Sequence, residues 1–277
     1  MAVSFSLFLL LSFSLLLLSR MRKLNGAAGK IAVEEHGDPA GTPVVLVHGM
    51  AGDASFWAST VRALGRQHRV VVPELRGHGR SAIPSDDDYS VEAHADDLIA
   101  VLDQLQLGPV VLVGHSFGAS PVLVVARAIP DQIAGMILVD PAGDFSYVPP
   151  EALHSFLAGL EHPDHYSATL DGAIDMALNQ ASAETDRRVR AAMLAAPPQA
   201  ISAMYSSLLL FAPLPFIDKY YGKLLLITTP VNAAPFTLHA LRPRLPHHEM
   251  AGVSHWAMMD RPGEVARLIE GFLVGER

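Results

Sequence analysis

The sequence contains no cysteine, and this absence removes three kinds of chemistry. A chain without cysteine cannot form disulfides, bind a metal through thiolates or use a cysteine nucleophile. Charged residues are scarce as well, at 17% of the 277 residues, and aromatic residues make up only 7%. Because half of the chain is apolar, its composition is typical of a packed globular protein and not of a disordered one.

Clustered positive charge is missing beyond the N-terminal region. The formal net charge is −8, and no run of Lys or Arg after residue 23 is long enough to follow a phosphate backbone. We therefore expect no nucleic-acid partner. No internal repeat or low-complexity tract is apparent either. The length suits one large α/β domain, or one domain that carries an inserted subdomain.

Residues 2–18 form an uncharged run of Leu, Phe, Ser, Ala and Val, at the short end of the length that spans a bilayer. Basic residues follow this run, beginning at Arg20, whereas a secretory signal carries them in front. By the positive-inside rule this order predicts a membrane anchor that leaves the rest of the chain on the cytoplasmic side. A cytoplasmic protein that starts at Met21 is an equally open alternative. Secretion after cleavage near residues 26–28 is less favoured.

From Lys30 to Asp140, short apolar strands alternate with amphipathic helices. This pattern builds a mostly parallel sheet with helices on both faces, and it predicts the α/β class. The clearest helix runs from about Val91 to Leu105, and Ser90 is placed to cap it. Apolar runs predict strands at 31–35, 44–47, 70–72, 110–113 and 136–139.

The pattern changes after Pro141. Residues 142–222 have helical periodicity interrupted by prolines and no strand signal, which predicts a helical lid inserted into the sheet domain. Strands return at 224–227 and more weakly at 247–251, and a last helix is predicted from about Pro262. The predicted organisation is a hydrophobic N-terminal segment, a first part of the core, the lid and a second part of the core, at 1–26, 27–141, 142–222 and 223–277.

Gly114-His115-Ser116-Phe117-Gly118 places a serine between two glycines, after a predicted strand and before a helical pattern. A strained turn at this point needs neighbours without side chains, so that strand and helix can approach closely. Strand, sharp turn and helix around such a serine form a nucleophile elbow. We therefore predict that Ser116 is a nucleophile at the carboxyl edge of the sheet. An inert serine in a glycine-rich turn is the alternative interpretation.

A second glycine-containing loop, residues 48–52, follows the predicted strand at 44–47. It places flexible backbone at the same edge of the sheet as Ser116. Acyl transfer develops negative charge on the carbonyl oxygen, and preorganised N–H groups stabilise that charge. The backbone N–H groups of Met50 and Phe117 are the predicted oxyanion hole, and their side chains would line an acyl pocket. The alternative interpretation is an ordinary loop between a strand and a helix.

Four segments together resemble the α/β-hydrolase superfamily in order and spacing. They are Val47-His48-Gly49, the stretch 76–81, the stretch 114–118 and the stretch 252–256. The resemblance covers residues 30–277. It implies the α/β-hydrolase fold with a helical lid and the activity of an esterase-like serine hydrolase, whose mechanism requires no metal or cofactor.

The resemblance and its position assign the catalytic base to His255, in a loop between the last strand and the last helix. Many relatives carry the catalytic acid beyond the strand that follows the lid, where this chain has Asn232. An amide cannot offer a negative charge to an imidazolium. Other members carry the acid after the strand before the lid, and there the chain has Asp140, which keeps the order Ser116, acid, base of the fold. Asp144 remains a rival acid.

A serine activated by a histidine attacks an acyl carbon and forms an acyl-enzyme, which water then releases. The predicted activity is that of a carboxylesterase acting on a small to medium apolar ester. Hydrolysis of thioesters, lactones or C–C bonds remains an alternative, and so does a slow-turnover ligand receptor of the same fold. The residues predicted to line the substrate pocket are Trp57, Phe145, Met204 and Trp256.

Overall fold

Eight strands form one sheet in the computed structural model, which describes residues 20–275 except for the side chain of Asn232. The strands are β1 Arg20–Asn25, β2 Lys30–Gly37, β3 Pro43–Val47, β4 Arg69–Pro73, β5 Val110–His115, β6 Ile133–Val139, β7 Lys223–Thr228 and β8 His247–Glu249. Their order across the sheet is β1-β2-β4-β3-β5-β6-β7-β8. Strand β2 is antiparallel to both of its neighbours, and every pair from β4 to β8 is parallel.

Helices cover this sheet and fill the connections between its strands. They are α1 Ala58–Leu64, α2 Val91–Leu105, α3 Ala119–Ala128, α4 Pro150–Glu161, α5 Tyr166–Ala177, α6 Ala183–Ala195, α7 Pro198–Leu210, α8 Leu214–Ile217, α9 Leu238–Leu241, α10 Ala257–Asp260 and α11 Pro262–Val274. Helix α1 packs against α11, and α2 packs against α3. The hydroxyl of Ser90 accepts a hydrogen bond from the N–H of Ala93 and caps α2, as the sequence predicts. The predicted α/β architecture is confirmed.

The central strands are buried from end to end. Every residue of β5 is buried, and Val44–Val47 of β3 are at most 1% exposed. Parallel strands with helices on both faces read as continuous apolar runs, because neither face meets water. This is why short runs of Val, Ile and Leu were sufficient to predict these strands from the sequence.

Strand β1 lies within residues 1–26, which the sequence pattern assigns to a separate hydrophobic segment. The structure instead pairs Arg20–Asn25 with β2 along the edge of the sheet. Leu24 is the only buried residue of the strand, and Arg22 forms an ion pair with Glu35 of β2. A charged edge strand carries almost no apolar periodicity, so its sequence pattern does not predict a strand.

The predicted membrane anchor at residues 2–18 lies outside the residues that the structure describes. Between residues 20 and 275, none of the helices combines the length and the apolar character needed to cross a bilayer.

Five helices, α4 to α8, connect β6 to β7, and we call residues 142–222 the helical insertion. Several of its apolar side chains are at most 6% exposed: Leu160, Leu170, Ile174, Val189, Met193, Ile201 and Met204. By contrast, Met176 is 70% exposed. These buried side chains belong to the same hydrophobic cluster as the central strands, so the insertion packs directly on the sheet domain.

Candidate active site

The carboxyl ends of three neighbouring strands bring the candidate residues together. Strand β3 lies between β4 and β5, so the chain leaves β3 to one side and later returns on the other. In α/β sheets ligands bind at such a switch point, outside the carboxyl ends of the strands. Ser116 follows β5, Asp140 follows β6, and the loop of residues 48–52 follows β3.

Ser116 occupies a strained turn between β5 and α3. Its φ angle is 51°, in the left-handed region that side-chain-bearing residues rarely adopt. A Cβ atom added at Gly118 would lie 2.3 Å from the carbonyl oxygen of His48, and one at Gly114 would lie 2.6 Å from that of Gly118. Both flanking positions therefore require glycine, and the strand, turn and helix of the predicted elbow are present.

Asp140 comes from the strand next to the elbow, at the same level of the sheet. The register of β5 and β6 pairs His115 with Val139, so Ser116 and Asp140 are the next residues on their strands. Asp140 also has a positive φ, at 42°. Its side chain is 1% exposed, and its Oδ2 lies 2.5 Å from Nδ1 of His255. The residue after the strand β7 supports it, because Thr229 donates its backbone N–H to Oδ1 at 2.9 Å and its hydroxyl to Oδ2 at 3.0 Å.

The rival acid, Asp144, makes local hydrogen bonds instead. Its carboxylate accepts from the N–H of Ser146 at 3.1 Å and from the hydroxyl of Ser146 at 2.5 Å, and so caps the 3₁₀ turn Phe145–Tyr147. The side chain of Asn232 lies outside what the structure describes. Of the two candidate acids, the structure therefore places Asp140, and not Asp144, beside His255.

Ser116 and His255 open onto the same cavity of about 70 Å³. Its other lining residues are Met50, His115, Phe117, Ala173, Ile174, Ala177, Met193, Tyr205, Leu208 and Trp256. Among the described residues, no hydrogen bond joins the hydroxyl of Ser116 to His255.

Only one of the four predicted pocket residues, Trp256, lines this cavity. Trp57 is fully buried, with its ring 6.5 Å from that of His115. Phe145 packs on Phe236 at a ring distance of 5.2 Å, and Met204 is completely buried in the helical insertion. These three side chains are core contacts around the site and not its wall.

The wall contributed by the insertion comes mainly from residues that the pocket prediction did not contain. Helix α5 supplies Ala173, Ile174 and Ala177, which lie on one face at spacings of one, three and four residues. This helical spacing is readable from the sequence. It does not distinguish a face that lines a cavity from one that packs in a core, and small alanines give no signal of a binding site.

Two buried histidines hold the loop that carries Met50. Nδ1 of His48 donates to the carbonyl oxygen of Gly49 at 2.8 Å, and its Nε2 accepts from the N–H of Leu75 at 3.0 Å. Nε2 of His78 accepts from the N–H of Ala51 at 3.1 Å. Each ring therefore uses one nitrogen as an acceptor and must be neutral. Burial lowers the pKa of both histidines, to about 3 for His78.

Met50 and Phe117, whose backbone N–H groups are the predicted oxyanion hole, line the same cavity as Ser116. Phe117 follows Ser116 directly in the chain, and Met50 follows Gly49. A Cβ atom at Gly49 would lie 3.1 Å from Cβ of Ser116, which shows how closely the loop approaches the elbow. Both residues therefore lie beside the candidate nucleophile, where an oxyanion hole requires N–H donors.

Acid is expected to unfold this protein through its buried histidines. Burial lowers the pKa of His48, His78, His94 and His115, to about 3 for His78 and His94, whereas an unfolded histidine titrates near 6.5. The unfolded state therefore binds more protons below pH 6.5. We expect stability to be complete above that pH and to fall as the pH drops towards 3, by about 1.4 kcal/mol per pH unit for each histidine.

Urea unfolding between pH 7 and pH 5 measures this slope, because most carboxyl groups stay ionised in that range. The variant His94→Gln is the comparison, since it removes one such group, and its slope should be smaller by one histidine's share. A free energy of unfolding that stays constant from pH 7 to pH 5 would contradict the prediction.

Comparison with known proteins agrees with this architecture. The family model described as the alpha/beta hydrolase fold matches residues 42–261. The lipase LipV of Mycobacterium tuberculosis is 36% identical over 110 residues, which are 40% of this chain and 41% of that protein. The 2-hydroxy-6-oxo-2,4-heptadienoate hydrolase of Pseudomonas putida is 36% identical over 119 residues, 42% of this chain and 43% of that protein. The match thus spans about two fifths of these relatives.

Solved structures match over nearly the whole chain. A thermophilic esterase from Thermogutta terrifontis superposes with a TM-score of 0.79 at 25% identity, covering 93% of this chain and 99% of the esterase. The mostly parallel eight-stranded sheet and the elbow after β5 agree with that likeness, and the predicted resemblance is confirmed. Because the family model extends over most of the sequence, the chain belongs to the α/β-hydrolase fold family.

Proposed function

We propose that this protein is a serine hydrolase that cleaves a small apolar ester through an acyl-enzyme intermediate. The observation that carries the proposal is the contact at 2.5 Å between the buried Asp140 and His255, which lines the same cavity as the strained Ser116. A serine, a histidine and a carboxylate in this arrangement form the catalytic unit of acyl transfer.

In the proposed reaction, Oγ of Ser116 attacks the carbonyl carbon of the ester and gives its proton to Nε2 of His255. Asp140 accepts the hydrogen bond of Nδ1–H, which keeps the ring in the required tautomer and stabilises the imidazolium. The N–H groups of Met50 and Phe117 donate to the oxyanion. His255 then returns the proton to the leaving alcohol, and a water molecule repeats the sequence on the acyl-enzyme.

The cavity favours a short, uncharged acyl group. Its volume of about 70 Å³ is well below the roughly 300 to 1,000 Å³ of pockets that hold drug-sized ligands. In the described part of the chain, no Lys, Arg, Asp or Glu side chain lines it. An acetyl or butyryl group is therefore favoured over a long fatty acyl chain or a charged one.

The residues that line the cavity also favour an ester substrate over the strongest alternative, hydrolysis of a C–C bond in a carboxylated substrate. One relative is named as a hydrolase of a dienoate, and a dienoate carries a carboxylate. A cation would be needed to bind such a group in an apolar cavity, because an unpaired buried charge is costly. The wall of this cavity offers neutral side chains and, at His115, a ring whose pKa burial lowers well below its usual value. This favours an uncharged ester over a carboxylated C–C substrate.

A fluorophosphonate probe with peptide mapping, run beside p-nitrophenyl acetate, butyrate and decanoate, tests the proposal. We expect the label on the peptide that contains Ser116, sustained turnover of the two short esters, and a value of kcat/KM at least about tenfold lower for decanoate. A methylene that a pocket cannot accept costs about 1 to 3 kcal/mol, so six of them should be strongly selected against.

Two outcomes would overturn the proposal. If the probe does not label Ser116, then Ser116 is not the nucleophile. A burst of product followed by almost no steady state would favour a slow-turnover ligand receptor of the same fold.

A further inference from the structure

The main chain of His255 is held from two sides. Its N–H donates to the carbonyl oxygen of Ala177 at 3.0 Å, and Ala177 is the last residue of α5 in the helical insertion. Its own carbonyl oxygen accepts from Nε2 of His115 at 2.9 Å, next to the elbow. The residue proposed as the base is therefore fixed partly by the sheet domain and partly by the insertion.

A single carboxylate strengthens the connection to the insertion. Oδ2 of Asp260 accepts from the N–H of Ser254 at 2.9 Å and from its hydroxyl at 2.6 Å, immediately before His255. Oδ1 of Asp260 accepts from the N–H of Ser182 at 3.0 Å. Ser182 ends the α5–α6 connection, residues 178–182, and caps α6. One side chain thus joins the loop of the base to the insertion.

The charge of Asp260 suits this role. Its partial burial raises the pKa of the carboxyl group, but hydrogen bonds from Ser254, Ser182 and Thr185 outweigh that effect and hold the pKa below its usual range. The group is an anion that accepts from backbone and hydroxyl donors. Hydrogen bonds to a charged acceptor are roughly twice as strong as neutral ones.

We propose that Asp260 is a positioning residue that fastens the His255 loop to the α5–α6 connection, so that the helical insertion sets where the base stands. The inference rests on the proposed function, because it concerns the base of that reaction. Helix α5 also lines the substrate cavity with Ala173, Ile174 and Ala177. The same helix therefore contacts the acyl group and holds the main chain of the base, and a displaced α5 moves His255 out of alignment.

Two variants break this connection in different ways. Asp260→Asn keeps the size of the side chain but replaces an acceptor oxygen with an N–H₂ group that faces donors. Ser182→Pro removes the N–H group that donates a hydrogen bond to Asp260. The φ angle of Ser182 is −65°, which proline adopts without strain. Ser182→Ala retains that N–H and removes only the hydroxyl that caps α6. Asp171→Asn is the matched control, because Asp171 is exposed on α5.

We expect kcat for p-nitrophenyl acetate to fall about 10²-fold in Asp260→Asn and in Ser182→Pro, with KM within about twofold, because a misplacement of about 1 Å costs this much in rate. The rate of fluorophosphonate labelling should fall in parallel. Ser182→Ala should lose far less than Ser182→Pro, and Asp171→Asn should match the original protein. Activity is divided by the amount of Ser116 that is labelled when labelling is complete. A variant that folds poorly then contributes only its folded fraction.

Two results would overturn the inference while leaving the proposed function intact. One is an unchanged kcat in Asp260→Asn and Ser182→Pro. The other is an equal loss in Ser182→Ala and Ser182→Pro, which would assign the effect to the cap of α6. Failure of the original protein to label at Ser116 would instead count against the proposed function itself.

Discussion

Replacing Asp140 by Asn is expected to lower kcat about 10⁴-fold while the protein stays folded, as in other triads that lose only their carboxylate. Asn has nearly the same shape, and its carbonyl oxygen can still accept from the N–H of Thr229, which now bonds Oδ1. Its N–H₂ group would then face Nδ1 of His255 in place of the present acceptor. That contact favours a ring that carries its proton on Nε2, and such a ring cannot accept the proton of Ser116.

Steady-state turnover of p-nitrophenyl acetate, together with a thermal melt of the same sample, measures this effect. Asp144→Asn is the matched control. Asp144 caps a 3₁₀ turn, and Asn caps about as well as Asp, so its kcat should remain within about threefold of the original. A large loss in Asp144→Asn with a normal rate in Asp140→Asn would transfer the acid to Asp144.

Ser116→Ala is expected to have the largest effect, a loss in kcat of about 10⁶-fold, the magnitude seen when the nucleophile of a triad is removed. The change deletes one oxygen and leaves a residue of similar size in the turn at φ 51°. We expect the fluorophosphonate label to disappear and the fold to persist. The remaining activity would come from the oxyanion donors and from substrate binding.

A second serine close to the elbow provides the control. Ser120 is buried in α3, one helical turn after Ser116, and Ser120→Ala should keep both the label and the turnover. Activity and label that survive in Ser116→Ala, or that vanish in Ser120→Ala alone, would show that Ser116 is not the nucleophile.

The sequence predicted the features of this site that depend on local chain geometry. The elbow could be recognised because only glycine tolerates the approach of backbone atoms at Gly114 and Gly118, and the strands before it are uniformly apolar. Asp140 could be proposed because strands of a parallel sheet end at a common edge. In each case a local signal and a general property of the fold were sufficient.

What the sequence did not predict depends on how distant segments meet. Trp57 and Met204 were expected in the pocket because they are large and apolar, but such residues are equally suited to a core, where both lie. Ala173 and Ala177 line the cavity because the fold brings α5 next to Ser116 and His255, a meeting of distant segments that no local pattern encodes. The partner of Asp260 is likewise invisible in the sequence, because Ser182 lies 78 residues away.

The pairing of His115 with Val139 determines where this chain can change its length. Deleting one residue within β5 would shift its end by about 3.3 Å and turn the following side chain to the opposite face, separating Ser116 from Asp140. The turn between α4 and α5 is less constrained, since the residues that border it, Glu161 and Tyr166, do not line the cavity. We therefore expect this protein to tolerate insertions, fused tags or a chain break at residues 162–165. A change of one residue in the length of β5 or β6 should instead abolish activity.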